Sequence, residues 1–123
     1  MRAAELASLV LIVTLLSCMP GTPPTIAPEP KPSNALEVVI YSYNYKPPTL
    51  TVTVGSTVTW VNKDLAPHTV TYHSYGNDEF DSGNVTNGKQ YTHRFRHAGQ
   101  FDYICALHQG MQGTVIVKDT VAH

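Results

Sequence analysis

Leu50-Thr51-Val52-Thr53-Val54-Gly55-Ser56-Thr57-Val58-Thr59-Trp60-Val61-Asn62 alternates apolar with mostly hydroxyl side chains on both sides of one Gly-Ser turn. A period of two marks half-buried β-strands, because successive side chains of a strand point to opposite faces. The pattern recurs downstream. His68, Val70 and Tyr72 share one face opposite Thr69, Thr71 and His73, and Tyr91, His93 and Phe95 alternate with Thr92, Arg94 and Arg96. Phe101, Tyr103 and Cys105 form another inward series, and Thr114 to Val117 is a last, two-sided apolar strand. Leu36 to Tyr43 supplies the first. No stretch after residue 17 sustains a period of 3.6. Short strands separated by Gly, Pro and Asn turns predict an all-β sandwich or barrel.

The ends of the chain are organised differently. Residues 6–16 are almost wholly apolar and follow Arg2. This run is shorter than the roughly 20 residues of a bilayer-spanning helix. It fits an export signal, residues 1–17, better than a buried core helix, because it lies at the extreme N-terminus. Leu15-Leu16-Ser17-Cys18 resembles the bacterial lipobox, although Leu16 is bulky for it and Glu5 weakens the positive N-terminal region. That resemblance implies cleavage before Cys18 and acylation of Cys18; ordinary cleavage nearby is the alternative. Pro20, Pro23, Pro24, Pro28, Pro30 and Pro32 follow. A stretch of this kind favours extended polyproline geometry and reads as a semi-rigid stalk of roughly 50 Å, at about 3.1 Å per residue. The division expected is therefore signal 1–17, lipidated cysteine and linker 18–34, folded domain 35–119, and tail 120–123.

The 123 residues carry 8 Lys plus Arg against 9 Asp plus Glu, a formal charge of -1. That balance excludes binding to nucleic acid through a broad basic surface. With 42% apolar and 14% charged residues, most of the chain is expected to fold rather than remain disordered.

The chemistry concentrates in Cys105-Ala106-Leu107-His108-Gln109-Gly110-Met111. A thiol, an imidazole and a thioether occur at intervals of three, in a loop between two strands. A second imidazole, His68, follows Pro67 upstream. Taken singly, Cys105 reads as a small buried hydrophobe, His108 as a surface loop residue and Met111 as filler. Together they are the ligand set of an electron-transfer copper site, in which soft sulfur suits Cu(I) and imidazole suits Cu(II).

With these residues in place, the chain resembles a cupredoxin of the plastocyanin/amicyanin type over residues 36–118. Val58-Thr59-Trp60-Val61-Asn62 followed by Pro67-His68 carries the resemblance in the first ligand segment. Phe80-Asp81-Ser82-Gly83 and Gly99-Gln100-Phe101-Asp102-Tyr103-Ile104-Cys105 carry it in the later strands. The ligand spacing, with Gln112-Gly113-Thr114-Val115 after it, is most similar to amicyanin. The resemblance implies a Greek-key sandwich of about eight strands binding one copper ion. His68, Cys105 and His108 would be the strong ligands and Met111 the long axial one. It also implies a redox donor and acceptor that dock transiently near His108 on a patch of Ala66, Pro67, Leu107, Gln109 and Gly110. The expected molecule is an exported monomer, tethered by lipid at Cys18 to the outer face of a membrane or in a periplasm.

Two departures from that family fall beside the expected copper ligands. Leu107 stands where Pro commonly precedes the second ligand, and its N–H is expected to donate to the Cys105 sulfur. Thr69 stands where Asn commonly follows the first ligand. Its backbone N–H can still reach the sulfur, but the side-chain brace between the two ligand loops is left unassigned.

Other function classes fit less well. A copper oxidase or reductase needs a further open copper, and no His-x-His pair occurs in the chain. A copper-storage or sensing module using the same ligands remains the alternative to a carrier. A Cys18–Cys105 disulfide is disfavoured, since it would tie the stalk into the ligand site. His73 and His97 are expected to be solvated and His123 mobile. His93 falls on the inward face, either as a hydrogen-bonded, partly buried histidine or as part of a second metal site.

Overall fold

The computed structural model describes residues 21, 36–74, 76 and 78–120. The segment expected to be an export signal, Cys18, nearly all of the proline-rich stretch and the last three residues lie outside them. Among the described residues no helix is long and apolar enough to cross a membrane.

Nine strands form two sheets. They are β1 (Glu37–Tyr41), β2 (Asn44–Lys46), β3 (Thr49–Thr53), β4 (Thr57–Asn62), β5 (Thr71–Tyr72), β6 (Phe80–Asp81), β7 (Gln90–Arg94), β8 (Gly99–Ile104) and β9 (Gln112–Lys118). One sheet has the order β2-β1-β4-β7 and the other β3-β9-β8-β5-β6. The chain changes sheet after β2, β3, β4, β6 and β7. This crossing makes β1 pair parallel with β4 and β3 parallel with β9, while the remaining pairs are antiparallel.

The period-two residues meet between the sheets. Val38, Ile40, Val58, Trp60, Val70, Phe95 and Val115 are fully enclosed, and Val52, Phe101, Tyr103 and Val117 are nearly so. Trp60 is the hub: its ring lies 5.5 Å from that of Tyr103, 5.8 Å from Tyr91, 6.0 Å from Phe80 and 6.4 Å from Phe95. Each such side chain contributes roughly 1.5–3 kcal/mol by leaving water. Tyr103 pairs across β8 and β9 with Gly113. A Cβ at Gly113 would overlap the Tyr103 phenol, so glycine is required for the strands to close there.

Two expected strands differ from the observed ones. The first ends at Tyr41, and the chain reverses through Ser42 and Tyr43 into β2, because Tyr41 pairs with Asn44 around a two-residue turn. Both turn residues have positive φ, 52° and 58°, the backbone of a type I′ hairpin. This extra hairpin strand helps bring the count to nine rather than about eight. The segment from His68 to His73 forms strand only at Thr71–Tyr72, with an isolated bridge between His68 and Val85. Thr69 and Thr71, expected to face away from His68 and Val70, are buried with them. Their hydroxyls find partners inside: Thr69 Oγ1 and Thr71 Oγ1 are 2.9 Å apart, and Thr71 Oγ1 donates to Asp81.

Candidate metal centre

His68, Cys105 and His108 come from two loops at one end of the sandwich. Cys105 directly follows β8, and His108 and Met111 lie in the turn before β9. The turn closes on itself: the Cys105 N–H donates to the Met111 carbonyl at 3.0 Å, and the Met111 N–H to the His108 carbonyl at 3.3 Å. Gly110 adopts the φ of +83° that this closure needs. On the facing loop, the N–H of His68 donates to Val85 and its carbonyl accepts from the N–H of Val85. The fully buried Asn62 side chain donates to the carbonyls of Ala66 and Val85 and accepts from the N–H of Asp64.

These constraints bring one donor atom from each of His68, Cys105 and His108 within 4.8 Å of the others. Nδ1 of His68 is 3.8 Å from the Cys105 sulfur and Nδ1 of His108 is 3.4 Å from it. His68, Cys105 and Met111 are buried and His108 is half-buried. A buried thiol facing two imidazole nitrogens, with a buried thioether in the same turn, fits a copper ion that changes valence.

The surrounding residues orient the donors. Nε2 of His68 lies 2.8 Å from Asp64 Oδ2. A carboxylate there favours the tautomer protonated on Nε2, leaving Nδ1 with its lone pair. Burial opposes ionisation of Asp64, but the N–H groups of Tyr43 and Ser42, together with His68, outweigh it and hold the carboxyl below its usual value. The Thr69 N–H donates to the Cys105 sulfur at 3.4 Å. The brace left unassigned by the change from Asn is present: Thr69 Oγ1 accepts the N–H of Ala106 at 2.7 Å and so joins the two ligand loops. Beneath them, the buried Tyr45 hydroxyl donates to the Thr69 carbonyl at 2.5 Å, and burial pushes its phenol far above the usual value.

The bond expected from Leu107 to the sulfur is not formed among the described residues. The turn presents the His108 ring to Sγ instead, and the Leu107 side chain lies 47% exposed. Pro67, Gln109 and Gly110 are also exposed, while Ala66 is half-buried. Two further residues at this end escaped the sequence reading. Leu65 is 93% exposed, and Tyr43 is 53% exposed with its ring against both His68 and His108. Asp64 was missed as well, although an acidic residue four positions before a Pro-His ligand is a signal that could have found it.

The other histidines stand apart from this centre. His73 Nδ1 lies 2.7 Å from Glu79 Oε1, and His97 Nδ1 lies 2.9 Å from Asp78 Oδ2, each at the surface. His93 is half-buried between the rings of Phe80 and Phe95, and its Nε2 is buried without a hydrogen-bond partner. Among the described residues, the one group of three or more His, Cys, Asp or Glu side chains placed to hold a metal is His68, Cys105 and His108, and His93 is not part of it. Cys105 is a free thiol.

Residues 33–118 match the profile described as copper binding proteins, plastocyanin/azurin family. The chain belongs to that family. As a cupredoxin it is an electron-transfer protein with copper as its cofactor. It is 37% identical over 89 residues to amicyanin of Paracoccus versutus, covering 71% of this chain and 67% of that protein. Amicyanin-alpha of Methylorubrum extorquens is 35% identical over 89 residues, covering 71% and 75%. Among solved structures, the Cu(I) form of an amicyanin variant superposes with a TM-score of 0.64 at 35% identity, covering 68% of this chain and 81% of that one. The all-β sandwich of this cupredoxin is thus the amicyanin fold.

Proposed function

We propose that this cupredoxin carries single electrons between a redox donor and acceptor, using His68 Nδ1, Cys105 Sγ and His108 Nδ1 as strong copper ligands and Met111 as a weak axial one. The observation that supports this most is the gathering of three donor atoms within 4.8 Å at one end of the sandwich. Copper supplies the one-electron couple between Cu(I) and Cu(II). The chain does the rest. Asp64 keeps Nδ1 of His68 directed at the centre, and the Thr69 N–H stabilises the electron-rich thiolate. The Thr69–Ala106 bond holds the two loops at a fixed spacing, so a change of valence meets little rearrangement.

His108 is the least buried of the four proposed ligands and gives the electron its way in and out. Ala66, Pro67, Leu107, Gln109 and Gly110 form the patch on which donor and acceptor dock, and Tyr43 and Leu65 extend it. A patch of this character suits redox encounters, which are small and brief, burying under about 1,200 Å². The protein is exported as a monomer. Lipid at Cys18 and the 18–34 linker tether the domain at the outer face of a membrane or in a periplasm.

The test is spectroscopic. Purified protein given Cu(II) should show an intense visible thiolate-to-copper absorption and a matching EPR signal, both lost in Cys105→Ser. Absence of the band in the wild-type chain overturns the site. Rapid electron self-exchange separates a carrier from a storage module with the same ligands.

A further inference from the structure

Tyr43 occupies a costly position in the backbone. It is a bulky residue at a positive φ of 58°, beside Ser42 at 52°, in a hairpin turn that favours Asn and Gly. Non-glycine residues held in this region cluster at functional sites, where surrounding contacts over-determine them. Those contacts are present here. Asp64 accepts the N–H of Ser42 at 2.7 Å and that of Tyr43 at 2.9 Å, and the same carboxylate meets Nε2 of His68.

The side chain explains why the turn is kept. The Tyr43 ring stands nearly perpendicular to both imidazoles, at 84° and 5.2 Å from His68 and at 87° and 4.9 Å from His108. The two imidazole centroids are 4.7 Å apart, so the three rings make a compact triangle. His68 is already fixed by burial and by Asp64. Among the described residues, no hydrogen bond holds the half-buried His108 ring except the contact of its Nδ1 with the Cys105 sulfur.

We propose that Tyr43 is a positioning residue that holds the His108 imidazole in its ligating orientation, with or without metal, by perpendicular ring packing. The inference rests on the ligand assignment above. Asp64 thereby serves both imidazoles: His68 directly, and His108 through the turn that carries Tyr43. Removal of the ring frees His108 to rotate while leaving the fold intact.

The experiment compares Tyr43→Gly, Tyr43→Asn and Tyr43→Phe in the full chain. Gly and Asn suit the positive φ, so both should unfold no earlier than wild type. In metal-free protein, NMR should show the Overhauser contacts between the His108 ring and the Cys105 side chain weakening in the Gly and Asn variants and persisting in the Phe variant. Copper transfer to a chelator should run about tenfold faster in Gly and Asn, and within about twofold of wild type in Phe. Unchanged His108–Cys105 contacts, or transfer within twofold in the Gly and Asn variants, overturn the proposal. A wild-type chain that shows no thiolate-to-copper band overturns the ligand assignment instead, and the metal-free NMR still decides whether Tyr43 holds the ring.

Discussion

Asp64 and His68 are joined by a 2.8 Å contact between Oδ2 and Nε2, and the same carboxylate caps the β1–β2 turn through two N–H groups. A hairpin of one strand pair and a ligand of another loop therefore share one acceptor. The pair is shielded: the His68 side chain is 0% and the Asp64 side chain 11% exposed. The contact consequently suffers little screening by solvent ions.

Asp64→Ala removes the group that orients His68 and anchors the turn. Copper affinity, measured by competition with a chelator, is expected to fall by about 10- to 100-fold. Asp64→Asn, whose single amide oxygen can replace Oδ2 toward the Tyr43 N–H and His68 Nε2 but leaves the Ser42 N–H without its acceptor, should fall less. Equal affinities in the wild type and Asp64→Ala would show that the His68 tautomer needs no carboxylate.

Thr69→Val keeps the shape and the backbone N–H to the sulfur but deletes the acceptor for Ala106. Loss of this bond to the exposed Ala106 is expected to cost about 0.5–1.5 kcal/mol in urea denaturation of metal-free protein. Thr69→Ser should recover most of that loss.

Gly113→Ala places a methyl group where the Tyr103 phenol lies. Overpacking of this kind costs about 1–3 kcal/mol. The double variant Gly113→Ala with Tyr103→Leu, which clears the phenol away, should be less destabilised than the sum of the two single changes, as read from the unfolding midpoints.

His93 sets a pH dependence. Burial holds its imidazole below the usual range, and Arg96 acts in the same direction, while Asp78 opposes them more strongly than Arg96 assists. The unfolded chain takes up a proton near pH 6.5, whereas the folded chain resists it until lower pH. Stability therefore declines as pH falls from about 6.5 toward the folded value, because the unfolded state binds more protons there. His93→Leu, compared with wild type by denaturation of metal-free protein at several pH values, should flatten that decline. An unchanged slope would place the acid sensitivity elsewhere.

Much of the site was legible because its information is local. Cys105, His108 and Met111 fall within seven residues, and Pro67-His68 is marked by its own dipeptide. The inward faces of β3, β4, β7 and β8 follow from alternation, since a pleated strand must send one set of side chains to the core. The short β5 was overestimated, because a period of two persists through a segment whose hydrogen bonds go to a bridge and to side chains instead.

Residue types and spacing alone determined an all-β chain with a candidate copper site of two histidines, one cysteine and one methionine drawn from two loops. The tertiary structure decided which groups surround that site. Asp64 with His68, Tyr43 with His108, and Thr69 with Ala106 are set by how the β1–β2 turn and the two ligand loops approach each other across separate sheets. A strand pattern carries its own periodicity along the chain, but a contact between loops depends on the register of β1 on β4 and of β8 on β9. That register exists only once both sheets have closed around Trp60.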